Sequence, residues 1–512
     1  MLARSRFWAV WALLVVSLLI SAAVPARVLA DSLRVAIGED LESTDPQRIR
    51  GAASRFFQVN VFESLYRREA DGQLAPALAT RSRMSPDGRR VEFTLRRGVR
   101  FHDGGPFTAR DVKFSLDRAR DPSIGAPGAA ALRNIVAVEV LGPYRVVFTL
   151  GKPDAAFLST LEYRLSIVPE QYIRRVGDDE FARRPVGTGP FRFISRSVNE
   201  EVRLERFDSY WGSKPSFRTL VFRIVPEPAS REALLERGDV DIAADLPFED
   251  VDAIRKNPAL KVMTLRTNER TFIKINALHP HSPLDDTRVR QALNYAIDKR
   301  AIIDGLLNGF AVETASGVTQ GIAGYDPSVK PYPYDPAKAK TLLAQAGFAA
   351  GFDGGELLFP GTDRVPKLKD VMEAVAAFWS DVGVTVRLHA VEYSAWLAAV
   401  SRHRAYGFAW MVRHETTWDP EERLLAHDRC GGFYSLFCAN PEMDRMIDGA
   451  AVLLDPRARQ AYFRRFFRLF HDDPPEVFLY ETVQVYGLRR AVQWHPGDGN
   501  VFLDLSSARI GK

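Results

Sequence analysis

The spacing of apolar and polar positions predicts a mixed α/β protein, with short strands and amphipathic helices interleaved along the chain. "DSLRVAIG", from Asp31, alternates with the period of a half-buried strand. "RVEFTLRRGVRFHDG" and "YRVVFTLGKP" read as further strands, each closed by Gly or Asp-Gly. Between them "TARDVKFSLDRAR" carries Val112, Leu116 and Ala119 on one helical face, with Thr108 as N-cap. Strand "TLVFRIV", helix "SREALLERG" and strand "DVDIAADLP" form one compact run, which predicts a crossover between parallel strands. Ser230 is the expected N-cap of that helix and Gly238 its stop. "DDTRVRQALNYAIDKRAIIDGLL" places Val289, Ala292, Leu293, Ala296 and Ile297 at helical spacing behind an acidic start. "DPAKAKTLLAQAGF" is a helix ended by Gly347. "VPKLKDVMEAVAAFWSDVGVTVRLHAV" reads as a longer helix, then Gly383, then a strand. The helix "PRARQAYFRRFFRLFHDD" and the strands "EVFLYE" and "VQVYGL" follow near the end.

The first residues break this pattern. "MLARSR" is a basic lead, "FWAVWALLVVSLLISAAV" an apolar stretch, and "PARVLA" a small-residue site. They predict an export leader cleaved before Asp31. An uncleaved membrane anchor is the alternative, because the apolar stretch is long for a leader. No cysteine stands at the cleavage site to take a lipid, and no later segment is apolar enough to span a bilayer. The mature chain is expected to be exported to the periplasm and to form two or three domains. Removing Arg4, Arg6 and Arg27 from the 69 basic residues leaves 66 against 64 acidic ones. So balanced a chain gives no electrostatic footprint for nucleic acid. The only cysteines, Cys430 and Cys438, lie close together in "CGGFYSLFC". In an exported chain they read as a disulfide, and no further ligands nearby suggest a metal.

Several segments carry a resemblance. "LRRGVRFHDGGPFTARDVKFSLDRA", "VGTGPFRF", "LERFDSYWG", "ALLERGDVDIAADLP", "LDDTRVRQALNYAIDK" and "YDPAKAKTLLAQAGF" occur in this order at suitable separations. Together they resemble extracellular solute-binding protein family 5, the periplasmic dipeptide-, oligopeptide- and nickel-binding components of ABC importers. The resemblance implies an α/β, two-lobed binding protein with an inserted subdomain and a ligand cleft between the lobes. Residues 31–55, 187–270 and 481–512 would form lobe I, 56–186 the inserted subdomain, and 271–480 lobe II. It also implies no enzymatic activity, no cofactor, and delivery of solute to a membrane permease and its ATPases. A monomer is expected.

The stretch "WMVRHETTWDP", Trp410 to Pro420, concentrates the candidate chemistry. It is no zinc-protease helix, because Trp418 stands where the second histidine is needed. Gly-x-Ser-x-Gly and phosphate-loop motifs are absent from the sequence, "VGTGPF" at 186–191 reads as a turn, and "HPH" at 279–281 as surface loop. Asp419 has capping logic, with Pro420 at N1 and Glu422 at N3, beside the alternative of ligand contact. Trp410 lies in an apolar strand, which sets core packing against ligand contact. Trp418, in a polar strand-to-helix turn, is either a ligand platform or packing. Arg413 suits a carboxylate or phosphate, or else a surface ion pair. His414 favours neither reading, and Asn276 either hydrogen-bonds at the cleft or caps a strand.

In the peptide-binding members of the family, a carboxylate just before this helix pairs with the ligand's amine. Matching on the Asp-Pro pair puts Thr416 there, with Glu415 one residue upstream. Glu421 stands where nickel-binding members have histidine, which disfavours a metal. The expected function is therefore hinge-closing capture of a peptide or peptide-like solute. Two alternatives stay open: a non-peptide solute such as an opine or sugar, and a secreted hydrolase using Glu415 or Asp419 with His414.

Overall fold

The computed structural model describes residues 31–511, apart from 279–281, 362–364, 366, 416, 498 and 500–501. The expected leader, the His279–His281 stretch and Thr416 lie outside the described residues.

One large sheet runs through the molecule. Its order is Val384–Val391, Phe352–Pro360, Gly407–His414, Leu260–Ile275, Glu476–Arg489, Ile242–Ala243, Ser32–Ile37, Thr219–Ile224, Glu201–Arg206 and Phe191–Ser197. Ala311–Glu313 pairs beside Glu476–Arg489. The expected crossover forms: Thr219–Ile224 and Ile242–Ala243 both run parallel to Ser32–Ile37, which lies between them. Its helix begins earlier than expected, at Pro228, with Glu227 as N-cap. Ser230 therefore sits inside the first turn, because proline's fixed φ and missing N–H suit N1. Gly238 follows the helix with φ 76°.

The segment with the acidic start is two helices, Thr287–Tyr295 and Lys299–Leu306. Asp286 caps the first, accepting from Arg288 N at 2.8 Å, and Asp298 caps the second, accepting from Ala301 N at 2.9 Å. "EVFLYE" and "VQVYGL" merge into one strand, Glu476–Arg489, antiparallel to the slightly longer Leu260–Ile275. Their register slips between Arg266 and Arg270, where Asn268 takes φ 56°. Glu481 spans the slip, ion-pairing with Arg266 and accepting from Asn268 N at 3.1 Å.

The apolar side chains gather in separate cores. One gathers Leu33, Phe57, Phe191, Phe222, Tyr486 and Leu503. A second, between Leu65 and Val186, has its own antiparallel sheet of Ala79–Met84, Arg90–Leu95, Arg145–Leu150 and Ile135–Val140. Helix Ala109–Arg120 covers that sheet and starts with a capping box between Thr108 and Asp111. A third core packs Phe272, Trp379, Trp410 and Val477, beside a phenylalanine-rich cluster on helix Pro456–Asp472. Cys430 and Cys438 are joined, with Cα atoms 4.7 Å apart. Closing so short a loop stabilises by about 2–3 kcal/mol in the chain-entropy model.

Candidate ligand-binding site

A cavity of about 420 Å³ opens where the cores meet. Its walls come from distant parts of the chain: Arg55 and Glu63, Glu162 and Tyr163, His414 and Trp418, and Phe502. A hollow of about 540 Å³ beside Phe114 and Arg174 is larger, but no residue beyond Asp178 lines it. Of the two, only the first is lined by segments from across the chain, from Arg55 to Ser507.

Arg55, on helix Ala52–Val61, is a cation of the cavity that has no acid partner among the described residues. It donates to Gln58 Oε1 at 3.1 Å and to the Tyr163 carbonyl at 3.0 Å. Its guanidinium lies 4.0 Å from the Tyr163 ring centre and 6.0 Å from that of Phe502. Among the described residues no carboxylate is in ion-pair contact with it, and its Nε makes no hydrogen bond. Burial lowers its pKa, so the site holds a cation that would gain from an anionic partner.

The carboxyls are arranged differently. Glu63 accepts from Trp211 Nε1 at 2.9 Å and Tyr210 OH at 3.0 Å. Burial pushes its carboxyl up to about 7 against the pull of these donors. Glu162 is also raised by burial, although Arg68 stands 3.3 Å away. Because the folded pKa of Glu63 lies above the ordinary 4.5, the folded state holds the extra proton between those values. Stability contributed by this group is thus lost as pH rises from about 4.5 to about 7. Denaturant titrations should show the native chain losing stability relative to Glu63→Gln over that interval; parallel profiles would place the carboxyl in water.

Of the residues singled out in the sequence, His414 and Trp418 line the cavity. His414 donates Nδ1–H to the Thr267 carbonyl at 2.8 Å, and burial lowers its pKa to about 4, so it is neutral. Trp418 has φ 58°, an uncommon and strained value for a bulky residue. That backbone delivers its indole into a socket of three glycines. A Cβ on Gly72, Gly321 or Gly499 would lie 2.2, 2.8 or 2.6 Å from the ring. The Arg68 guanidinium sits 5.4 Å from the ring centre, and its Nη2 donates to the Thr417 carbonyl at 3.2 Å.

The others stand elsewhere. Asp419 forms a two-point pair with Arg459, both contacts 2.7 Å, and accepts from Glu421 N at 3.0 Å. The helix starts one residue later than the capping pattern implied, at Glu421, and Glu422 reaches Arg164 at 2.8 Å instead. Trp410 is buried against Trp396, whose indole N–H donates to the Trp410 carbonyl at 3.2 Å. Asn276 ends its strand, donating to the Ala405 carbonyl and accepting from Leu278 N at 3.1 Å. Glu415 is buried with Oε1 2.7 Å from Arg423 Nε, off line for a hydrogen bond. Arg413 lies beside Arg270 across the strand pair, on the face opposite to His414.

Arg55, Glu63, Arg68 and Glu162 were not singled out in the sequence. The "YRREADGQ" hairpin gave a weak signal, with charges crowded at a turn that ends in Gly72. Nothing local connects Arg55 with Glu162 or Phe502. Among the described residues there is no cluster of histidine, cysteine and acidic groups placed to hold a metal, and no helix long and apolar enough to cross a membrane.

Known proteins are similar to this chain in sequence and fold. Residues 73–435 match the model described as bacterial extracellular solute-binding proteins, family 5 Middle. The glutathione-binding protein GsiB of Salmonella typhimurium is 32% identical over 469 residues, covering 90% of each chain. The alignment with GsiB of Salmonella choleraesuis, also 32% identical, spans 333 residues, 65% of this chain and 64% of the relative. The periplasmic binding protein DppA from Helicobacter pylori, solved in complex with the peptide STSA, superposes with a TM-score of 0.76 at 26% identity. That superposition covers 94% of this chain and 98% of DppA. The fold is the α/β, two-lobed one of the periplasmic binding proteins. The chain belongs to family 5 of the bacterial extracellular solute-binding proteins.

Proposed function

We propose that the chain is the solute-capturing component of an ABC importer, and that it takes a short, acid-bearing peptide or peptide-like solute. One observation carries this reading: a single cavity joins Arg55, a cation without an acid partner, to the raised carboxyls Glu63 and Glu162. A zwitterionic solute would place its acid group on Arg55 and its amine by the carboxyls, restoring the ionised form that burial disfavours. The amine role considered for Glu415 passes to Glu63 and Glu162, because Arg423 occupies Glu415. The cavity lies near the lower end of the usual range for small-molecule pockets, which suits a short ligand. The relatives named for glutathione and for a bound peptide support the same class.

Capture proceeds by closure about the slip between Arg266 and Arg270 and the facing Glu481. Residues 31–55, 187–270 and 481–512 move as lobe I, carrying 56–186, against 271–480. Contacts that bridge the cleft, such as Arg164–Glu422 and Arg68 to Thr417, belong to the closed state. A solute touching both sides shifts the population towards it. The mature, monomeric protein acts in the periplasm after its leader is cut before Asp31, and presents the closed form to the permease and its ATPases. It needs no cofactor and performs no reaction. His414 spends its Nδ1–H on a backbone carbonyl, so it lacks the orienting acid of a catalytic base.

Titration calorimetry with di- and tripeptides, each also N-acetylated and C-amidated, tests the reading. Blocking the acid group should weaken binding more than tenfold. Equal binding of blocked and free forms would refute the charge complementarity. Trp418→Ala should weaken binding about 30-fold, the ~2 kcal/mol of a buried aromatic anchor; unchanged affinity would reduce the indole to packing.

A further inference from the structure

The strand that turns His414 towards the cleft turns Arg413 inward, directly opposite Arg270 on the neighbouring strand. Like charges at such positions repel, with Cβ atoms roughly 5 Å apart. Lys274 follows on the same face, and Arg423 enters from helix Glu421–His427. Arg270 and Arg423 are 0% exposed and Lys274 1%. Three carboxylates answer these four cations. Glu476 lies 2.6 Å from Arg270, Asp428 is shared by Lys274 at 3.0 Å and Arg423 at 2.8 Å, and Glu415 touches Arg423. Glu481, on the other flank of Arg270, is engaged by Arg266. Among the described residues the three enclosed cations are matched by these three carboxylates, and the unmatched charge is that of Arg413, half-buried at the edge of the cluster, where an added counter-ion would relieve it.

The hydrogen bonds show the same imbalance. Among the described residues, Nε and Nη2 of Arg270, Nε and Nη2 of Arg423, Nε of Arg413 and both ring nitrogens of His427 are without hydrogen-bond partners, and so are the acceptors Oε1 of Glu415 and Oε2 of Glu476. His427 is 2% exposed. Burial, reinforced by the four cations, drives its pKa well below the ordinary value, so it adds no charge. The unpartnered donors outnumber the unpartnered acceptors, and they belong to residues of the strand pair and of helix Glu421–His427.

We propose that this cluster is a second site, for one small anionic group held by Arg270, Arg413, Arg423 and the N–H of His427. The group is either a free halide-sized anion or a second carboxylate, besides the one on Arg55, carried in by a bound solute. In both cases a single negative charge completes the network, and Arg413, half-buried at its edge, is the entry. The second source rests on the solute being acid-bearing; the first does not.

Charge balance gives the test. The mature protein is melted in gluconate buffers in which chloride replaces gluconate at fixed ionic strength. For a free anion, chloride raises the melting temperature saturably, by roughly 1–3 °C per tenfold concentration above half-saturation. Arg413→Gln, which balances the charges, abolishes the response. Glu415→Gln, which deepens the excess, moves half-saturation to about tenfold lower chloride. Crystals grown with bromide then show anomalous density beside Arg270 and Arg423. A bromide peak without a chloride response marks an adventitious ion only and overturns this source. For a second solute carboxylate, chloride has no effect, and Arg413→Gln weakens a peptide with a side-chain acid at least tenfold while the form with only that acid amidated binds as before. If Glu415→Gln fails to fold, the chloride and peptide responses of Arg413→Gln decide alone. The proposal is overturned if neither chloride nor the acidic peptide distinguishes Arg413→Gln from the native chain. Weak binding by every peptide, with the chloride response intact, would refute the proposed function and leave this site standing.

Discussion

Arg55→Met should weaken binding of the native solute by about 30-fold to several thousandfold, while the melting temperature stays the same or rises. The binding loss follows from truncating one partner of an enclosed charge pair, about 2–5 kcal/mol. Stability should be spared for the opposite reason. Arg55 has no carboxylate partner among the described residues, so the free protein holds a desolvated cation against Tyr163 and Phe502. Methionine keeps the apolar contact and removes the charge. Calorimetry and thermal melts on one preparation read both effects. Full affinity in the variant would mean that the acid group, if there is one, sits elsewhere.

Arg423→Met should have the reverse profile, a loss of about 3–5 kcal/mol in stability. Its guanidinium is enclosed between Glu415 and Asp428 on one side and the Phe467 and Phe470 rings, each 5.8 Å to the centre, on the other. Asp428 keeps Lys274, but Glu415 loses its close contact and must be protonated or hydrated. Adding Glu415→Gln to Arg423→Met should therefore recover part of the loss, a coupling readable from the four-member cycle in denaturant. Additive losses would show that the two groups do not interact.

How far the sequence reaches can be seen at particular residues. The capping box at Thr108 and Asp111 and the long helix ending before Gly383 were legible, because capping and helical period are local. The break at Asp298 was not. Ala296 and Ile297 before it and Ile302 after it are buried, so the apolar spacing continues through a place where the backbone turns and Asp298 starts a new helix. "EVFLYETVQVYGL" was divided in two because Glu481 and Thr482 interrupt the apolar run. In the fold both serve the register slip, and the strand continues past them.

The site divides along the same line. Alternation places Arg413 and Glu415 on one face of their strand and His414 on the other. Which face meets the cleft depends on helix Glu421–His427 packing over Arg413 and Glu415, and no local pattern reveals that. Trp418 was noticed because an aromatic in a polar strand-to-helix turn is unusual; its glycine socket comes from residues 72, 321 and 499. Arg55 and Glu162 lie more than a hundred positions apart and meet only after the cores assemble.

Mass spectrometry of the solute released from protein taken from its own periplasm, without refolding, is the most direct trial of the charge-complementary cleft. A short peptide or peptide-like compound bearing a free acid group is the expected result, and it should be absent from Arg55→Met prepared in the same way. A neutral compound, retained equally by Arg55→Met, would contradict the role given to Arg55 and the peptide reading together.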